Sequence, residues 1–326
     1  MKQKAIGNEI KMNRWGYAFV APFIVVFCIF SFWPTVNTFL LSFSDVRGFK
    51  NTMDFIGFDN YAKLVKDPFF WGALKNTFII WTFNFIPQLG LALILALWLS
   101  DVRLKLRGKK LFRAIVYMPN LLTAVSVAML FRSLFGWGGH FNAPANHFLG
   151  YFDIRETKIL EDGSTVREAI NFFRSVWFSR GLVSYIQWWM WYGHTLIILM
   201  AGITSIPVSL FDAAMIDGAS SRQTAWHITL PLLRPIFLYL LVTSTIGGMQ
   251  MFDIPFLLTN NWGDPQLSIR TTPVYQYNMA FMGRNDYAYG AAVSVGIFLV
   301  TMCLALIIFF FMQDRSEFKG KRGGKV

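Results

Sequence analysis

Six long apolar stretches constrain what this chain can fold into. They cover residues 16–43, 74–99, 111–135, 182–205, 235–258 and 288–312. A bilayer-spanning helix needs about 20 mainly apolar residues, because every backbone polar group in the hydrocarbon must be bonded within the segment. Hydrophobic residues make up 55% of the chain and charged residues 15%, as in integral membrane proteins. The stretches predict an all-α membrane protein with six transmembrane helices in one domain, residues 16–312.

The positions of Lys and Arg predict the orientation of these spans. An even number of spans puts both termini on one side, together with the segments 1–14, 99–113, 206–236 and 313–326. These segments carry 17 Lys and Arg against 6 acidic residues. The opposite side, residues 44–73, 136–180 and 259–288, carries 11 of each. Positive charge near short loops resists translocation, so the basic side is expected in the cytoplasm.

This orientation makes residues 1–15 a cytoplasmic N-terminus and residues 313–326 a basic cytoplasmic tail. It also accounts for the net charge of +12, so nucleic-acid binding is not needed to explain the basic residues. The first apolar run could alternatively belong to a signal peptide. Its length and the lack of a small-x-small cleavage site favour an uncleaved first span.

The external segment 136–180 has its own pattern. Asp-Gly lies between two alternating runs in Thr157 to Val166, which predicts a β-hairpin with a type I′ turn. Val166, Ile170, Phe173 and Trp177 follow at helical spacing, which predicts a helix on the membrane surface or against the bundle. A flap over the bundle and a partner-docking element are both open interpretations.

A polar stretch from residue 212 to residue 235 separates the fourth and fifth spans and predicts a helical hairpin. Ser209 can cap its first helix, and Gly218 can end that helix in a left-handed conformation. Ser220 or Ser221 can cap the second helix, which is expected to end near Pro231. Small residues keep the elbow thin enough for a groove in another protein, although an ordinary polar loop is the alternative.

The order of residues in this hairpin resembles the EAA motif of ABC importer permeases. The matching groups are Asp212-Ala213-Ala214, Asp217-Gly218-Ala219, Trp226 and Ile228-Thr229-Leu230-Pro231. Asp212 stands where the family usually has Glu, and Trp226 where it usually has Phe. Trp226 and Ile228 are expected to point inward and anchor the hairpin to the bundle.

The resemblance extends over nearly the whole chain. The stretches "FIGFDNYAKLVKDPFFWGALKNT" and "GGMQMFDIPFLLTNNWGDP" and the proline-bearing third span are similar to the carbohydrate-uptake branch, which includes the larger membrane subunit of the maltose transporter. The resemblance implies a type I importer permease fold with a cytoplasmic coupling loop, residues 206–235. The resemblance also implies that the chain imports a sugar by alternating access across the inner membrane of a prokaryotic cell. The abundant aromatic residues favour an oligosaccharide as that sugar.

The resemblance also implies partners. They are a second permease subunit, two ATPase subunits and an extracytoplasmic binding protein that delivers the sugar. The residues expected to contact an ATPase subunit are Asp212, Ala213, Ala214, Asp217, Gly218, Ala219 and Trp226. The sequence has no G-x-x-x-x-G-K-[ST] phosphate loop, so this chain is expected not to be an enzyme, and ATP and Mg²⁺ are expected on the partner ATPase subunits.

Aromatic and amide side chains inside spans are the candidates for contacts to sugar. The fourth span offers Trp188, Trp189, Trp191, Tyr192 and His194, and the fifth offers Ser244, Gly247, Gly248, Gln250 and Asp253. Matching to the family implies that Trp191, His194, Ser244, Gly248 and Met251 line the cavity; Trp189 and Gln250 complete the predicted binding residues. Alternatively, Trp188 and Trp189 belong to an interfacial belt, the glycines allow close helix packing, and Asp253 pairs with an Arg.

Other functions fit the sequence less well. An importer of glycerol phosphate would need cations facing its cavity, and only Lys75 and Arg132 are candidates. An ion-coupled secondary transporter would need intramembrane carboxylates, of which Asp253 is the main candidate. Two cysteines and four histidines predict no metal site, and no set of catalytic side chains is apparent.

Overall fold

The computed structural model describes most of the chain as helix. The described residues are 16–48, 53–100, 108–136, 157–159, 165–167, 172–259, 262–283 and 285–312. The labelled helices are, in chain order, α1 (Gly16–Ser42), α2 (Asp59–Lys66), α3 (Pro68–Ser100), α4 (Lys109–Tyr117), α5 (Ala124–Phe135) and α6 (Val176–Thr204). They continue with α7 (Val208–Ile216), α8 (Ser221–Thr224), α9 (Arg234–Met249), α10 (Asp253–Leu258), α11 (Thr272–Phe281) and α12 (Tyr287–Met312).

Four of the described helical segments are long and apolar enough to cross a membrane. They are Gly16–Ser42, Pro68–Ser100, Arg234–Leu258 and Tyr287–Met312. Two bent pairs meet the same criteria when each pair is taken together, α4 through Leu121 with α5, and α6 with α7. Counting each pair as one span gives the six that the sequence predicts, and the chain is a multi-pass membrane protein. Helices α3 and α6 begin about six residues before the predicted spans do.

The third span is sharply broken near Pro119. A short 3₁₀ segment, Met118–Leu121, follows α4, and the two arms of the span meet at 86°. Proline lacks an amide hydrogen and clashes with the preceding turn. The sharp break in the third span therefore falls at its proline.

The external segment is partly as predicted. Strands β3 (Thr157–Ile159) and β4 (Thr165–Arg167) pair antiparallel, with Thr157 opposite Arg167, so the predicted hairpin is confirmed. Its turn lies outside the described residues.

The surface helix predicted to follow this hairpin is wrong. Val166 lies in β4, Phe173 in a 3₁₀ turn (Phe172–Arg174) and Trp177 in the first turn of α6. The position of Ile170 lies outside the described residues. Backbone pairing to β3 and the cap of α6, where Ser175 Oγ accepts from the Phe178 amide at 3.3 Å, replace a single helix.

Residue contacts divide the chain into two compact units, Met1–Asp67 with Gln276–Gly296, and Pro68–Tyr275 with Ile297–Val326. In the first unit, strands β1 (Ser44–Asp45) and β2 (Asp54–Phe55) pair antiparallel. The buried carboxylate of Asp286 lies 3.5 Å from Lys63 Nζ and 3.6 Å from Arg47 Nε. A buried charge needs such partners, so these two cations stabilise the start of the last span.

The second unit is built on close packing of α6 against the helices around it. One core cluster surrounds Ile80, Val183 and Ile186, and another surrounds Leu196 and Leu199. Gly193 is buried against the backbone of Val116, so that a Cβ at this position would overlap the Val116 carbonyl oxygen and lie 2.9 Å from its carbon. Glycine therefore permits the approach of α6 to α4.

We expect Gly193→Ala to lower the thermal stability of the purified protein. The added methyl group meets backbone atoms, which cannot rotate away, and overpacking of this kind costs about 1–3 kcal/mol. The matched control is Gly181→Ala in the same helix, where a Cβ would contact nothing within 4 Å and the higher helix propensity of alanine should be neutral or stabilising. Equal melting temperatures for the two variants would contradict the assignment.

Candidate translocation cavity and coupling hairpin

A cavity of about 340 Å³ lies within the second unit, between α3, α6 and α9. Its walls carry amide, hydroxyl and aromatic side chains beside aliphatic ones. The polar and aromatic lining residues are Asn84, Phe85, Gln88, Gln187, Trp191, His194, Thr195, Thr243, Ser244, Gln250, Phe252 and Asp253. The cavity can therefore present hydrogen-bonding groups and aromatic faces to a polar molecule inside a membrane protein.

The side of the cavity formed by α6 uses one face of that helix. Its lining residues are Gln187, Met190, Trp191, His194, Thr195 and Ile198, spaced three or four residues apart as on one helical face. The Trp191 ring is 46% exposed and meets the His194 ring edge-to-face at 5.9 Å. Aromatic surface is thus available on this wall.

The opposite wall contains a pair of amides on α3. Gln88 Nε2 donates to Thr195 Oγ1 at 2.8 Å, and this hydrogen bond links α3 to α6. Asn84 lies one turn earlier and is also buried in the wall. Neither residue was predicted from the sequence. Two amides four residues apart within an apolar span do indicate a polar interior site, because such groups are costly in hydrocarbon.

A tryptophan outside the lining shapes the α9 wall. Trp81 Nε1 donates to the Ser244 carbonyl at 3.0 Å and lies 3.1 Å from the Ser244 hydroxyl. Its ring stacks on Phe85 at 5.7 Å and occupies the space beside Gly248, where a Cβ would overlap Trp81 Cδ1. Gly248 therefore makes room for a neighbouring ring.

The fifth span is interrupted where it borders the cavity. Helix α9 ends at Met249 and α10 begins at Asp253, so the backbone of residues 250–252 is not helical. The carbonyl of Met251 accepts a hydrogen bond from Thr271 Oγ1 at 2.7 Å. Irregular backbone at membrane depth is tolerated where such partners or a cavity satisfy it, and this site has both.

The structure brings most of the predicted substrate residues together. Trp191, His194, Ser244, Gly248, Gln250 and Met251 all line the cavity, as does Asp253. It does not bring Trp189 there, since that ring packs on the core cluster beside Phe131, with centroids 6.2 Å apart. Trp188 and Tyr192 stack on each other at 5.9 Å outside the lining.

The cavity lining carries one acidic side chain and no basic one. Asp253 is the acidic lining residue and His194 the only other titratable group, and none of the lining residues is Lys or Arg. Lys75 and Arg132 are exposed elsewhere. No group of three or more His, Cys, Asp or Glu in the described ranges could hold a metal ion.

The stretch between the fourth and fifth spans forms the predicted hairpin. Helix α7 ends at Ile216, and Gly218 follows with a φ of 71°. The Gly218 amide donates to the Met215 carbonyl at 3.1 Å, and the Ala219 amide to the Ala214 carbonyl at 2.9 Å. This is a Schellman motif, and it confirms the left-handed end predicted at Gly218.

The second arm starts with a complete capping box. Ser220 caps α8, its Oγ accepts from the Gln223 amide at 3.3 Å, and Gln223 Oε1 accepts from the Ser220 amide at 2.8 Å. The arm continues as a π-helical segment (Ala225–Thr229) and a last turn (Leu230–Leu232). The predicted cap at Ser220 is confirmed, and the arm ends one residue after Pro231.

Two details predicted for the hairpin are wrong. Helix α7 begins at Val208, with Pro207 at the N-cap position and without a side-chain cap, so Ser209 lies inside the helix. Trp226 is 61% exposed and is not a buried anchor, while Thr229 is the buried residue of this arm. Ile228, the second predicted anchor, is half-buried.

The predicted coupling residues form a mostly exposed elbow. Asp212, Ala213, Asp217 and Gly218 are exposed, Ala219 is half-buried, and Ala214 is buried. A compact elbow built in this way presents two carboxylates and backbone surface to any partner that fits around it.

The comparisons with known proteins agree with this architecture. The family model of the binding-protein-dependent transport system inner membrane component matches residues 77–319. The chain belongs to this family. This inner membrane component is 31% identical to the lactose transport system permease protein LacF of Rhizobium radiobacter, over 92% of this chain and 95% of LacF.

Other relatives carry different substrates in their names. The arabinooligosaccharides transport system permease protein AraP of Bacillus subtilis is 29% identical over 94% of this inner membrane component and 90% of AraP. The sn-glycerol-3-phosphate transport system permease protein UgpA of Agrobacterium fabrum is 28% identical over 93% of this chain and 96% of UgpA.

A solved structure shares the fold. It is a bacterial alginate ABC transporter in complex with an alginate pentasaccharide-bound periplasmic protein, and one of its chains superposes with a TM-score of 0.74 at 23% identity. The alignment covers 94% of this inner membrane component and 96% of that chain. The predicted importer permease fold is therefore confirmed.

Proposed function

We propose that this chain is the membrane-spanning permease subunit of an ATP-driven importer that moves a sugar, in particular an oligosaccharide, from a binding protein into the cytoplasm. The observation that carries the proposal is the cavity of aromatic, amide and hydroxyl side chains, without a cationic lining residue, beside the break in the fifth span. Sugars are bound by aromatic faces and by hydrogen bonds to their hydroxyl groups. The names of LacF and AraP support the same substrate class.

The proposed partners are a second permease subunit, two ATPase subunits and an extracytoplasmic binding protein. ATP and Mg²⁺ would bind to the ATPase subunits, and this chain would carry no cofactor of its own. Both termini would lie in the cytoplasm. The periplasmic protein bound to the alginate transporter supports a binding-protein partner, and the basic residues near the termini support the orientation.

In this proposal the hairpin couples the ATPase subunits to the spans. Asp212 and Asp217 would make charged contacts in a cleft of the partner, together with Trp226, while Gly218 provides the turn. Closure of the ATPase subunits would move the hairpin as one body, and the spans would exchange between outward-open and inward-open packings. The exposed elbow and its internal hydrogen bonds support this role.

Glycerol phosphate is the alternative substrate, in view of the relative UgpA. A phosphate dianion would need cationic partners, whereas the cavity lining contains Asp253 and none of its residues is Lys or Arg. A neutral sugar is therefore favoured over an anionic one.

The proposed aromatic contact predicts a specific loss. We expect Trp191→Ala to reduce the initial rate of sugar uptake about tenfold at subsaturating binding-protein concentration, because loss of an exposed aromatic contact worth about 1.4 kcal/mol changes binding tenfold. Trp191→Phe should retain part of the rate. The control is Trp177→Ala, an exposed tryptophan of the same helix outside the cavity, and equal effects of both alanine variants would contradict the cavity assignment.

The proposal as a whole is tested by reconstitution. This chain would be produced with its partner permease, ATPase and binding protein and incorporated into liposomes that contain ATP. Radiolabelled sugars that bind to the purified binding protein would then be offered as substrates. Uptake that depends on ATP and on this chain is the expected result; efficient uptake of glycerol phosphate alone, or uptake driven by an ion gradient without ATP, would overturn the proposal.

A further inference from the structure

A second cavity, of about 400 Å³, lies between the hairpin and the end of α3. We name it the hairpin cavity. Its apolar walls are formed by Leu97, Ile203, Phe211 and Met215, and its polar groups include Ser221, Arg222 and Thr224. It is separate from the translocation cavity, because the two have no lining residue in common.

Two tryptophans flank the hairpin cavity. Trp98 is 62% exposed at the end of the second span, and Trp226 is similarly exposed on the hairpin. Helix α3 ends at Ser100, so this cavity lies where an apolar span leaves the hydrocarbon. Tryptophan is enriched at that depth, where its ring meets the headgroup region.

The charge of the hairpin cavity is positive. Arg222 is the only lining residue with a full charge, is exposed, and forms no ion pair among the described residues. Residues 99–113 carry six further Lys and Arg on the same predicted side of the membrane. An apolar cleft with a cation and hydroxyl groups beside it matches an amphiphile with an anionic head.

Most of the residues that the proposed function assigns to an ATPase subunit lie outside the hairpin cavity. Asp212, Ala213, Asp217 and Gly218 do not line it, whereas Trp226 does. A partner that grips the first four residues would leave the apolar walls at Leu97 and Ile203 uncovered. The bilayer at the end of α3 is the nearest source of apolar chains.

We propose that the hairpin cavity binds an anionic phospholipid, with an acyl chain between Leu97, Phe211 and Met215 and with the headgroup phosphate on Arg222. The guanidinium group can donate two parallel hydrogen bonds to phosphate oxygens, and Ser221 and Thr224 line the same cavity. The lipid would join the hairpin to the second span. This inference does not depend on which substrate the protein transports.

The test uses the purified full-length chain, stripped of lipid in detergent and titrated with phosphatidylglycerol or phosphatidylcholine of identical acyl chains. Native mass spectrometry would measure the first lipid bound. We expect phosphatidylglycerol to bind about tenfold more tightly than phosphatidylcholine, because a charge-assisted contact to Arg222 adds to shared acyl-chain burial. Arg222→Gln should remove that preference, whereas Lys110→Gln, an exposed cation outside the cavity, should keep it.

A second measurement locates the lipid. Phosphatidylglycerol with brominated acyl chains should quench tryptophan fluorescence more than brominated phosphatidylcholine does, and the excess should vanish when Trp98→Phe and Trp226→Phe are combined. Trp177→Phe is the matched control and should leave the excess unchanged. Equal binding of the two lipids, or a preference that survives Arg222→Gln, would overturn the proposal, as would an excess that survives loss of both tryptophans.

Discussion

Replacement of Gly218 by leucine is expected to abolish sugar uptake while the chain still inserts into the membrane. The residue has a φ of 71° at the elbow of the hairpin, a conformation that costs an L-residue with a side chain about 1–2 kcal/mol. A Cβ there would contact nothing within 4 Å in this chain. The leucine side chain would therefore clash mainly with a partner that surrounds the elbow. Uptake into reconstituted vesicles and the amount of chain in the membrane are the two measurements.

A second substitution separates backbone strain from bulk. Asparagine tolerates the left-handed conformation better than leucine but also enlarges the elbow, so Gly218→Asn should fold with nearly normal stability and transport at a reduced rate. Normal transport by Gly218→Leu would contradict the coupling role of the hairpin. A failure of the leucine variant to insert would be recognised from its absence in the membrane fraction, and the asparagine variant would then carry the test.

Replacement of Gly248 by alanine is expected to disturb strongly the cavity between α3, α6 and α9. The new methyl group would overlap Trp81 and lie 2.7 Å from its Cγ, so the ring must move and give up its hydrogen bonds to Ser244. Overpacking costs about 1–3 kcal/mol, and the displaced ring would also shift the wall that Ser244 and Phe85 share. We expect a lower melting temperature and a large loss of uptake.

The neighbouring glycine supplies the control for this prediction. Gly247 also lines the cavity, but a Cβ at Gly247 would contact nothing within 4 Å. Gly247→Ala should therefore preserve stability, because alanine favours the helix. If the two alanine variants behaved alike, the packing of Trp81 against Gly248 would not be the reason that the fifth span carries two glycines.

The apolar spans could be predicted from the sequence because a bilayer allows so few solutions for the backbone. Their number followed directly. The starts of α3 and α6 could not be placed, since aromatic residues such as Phe69 and Trp177 extend the helices beyond the apolar window. The helix expected through Val166 failed because four residues at helical spacing are a weak signal beside strand pairing.

The sequence predicted which spans contribute to the cavity better than it predicted which face of each helix lines it. A run of aromatic residues in the fourth span does not reveal which of them turn toward the cavity. Trp191 lines the cavity, whereas Trp189, two residues earlier and about 200° around the helix, packs on the core. Gln88 and Asn84 were not predicted, because the aromatic residues around them in the second span do not by themselves mark a cavity wall. The turn at Gly218 and the cap at Ser220 were predictable, since both depend on local backbone chemistry.

The capping box and the Schellman motif have a consequence for energy transfer. Ser220, Gln223 and Gly218 hold the hairpin in shape through hydrogen bonds within the chain itself. A partner that closes around this elbow meets a surface that is already ordered, so association does not have to overcome the conformational entropy of a flexible loop. If a partner moves such a preorganised hairpin, the hairpin is expected to shift as one body, because its backbone does not have to rearrange first.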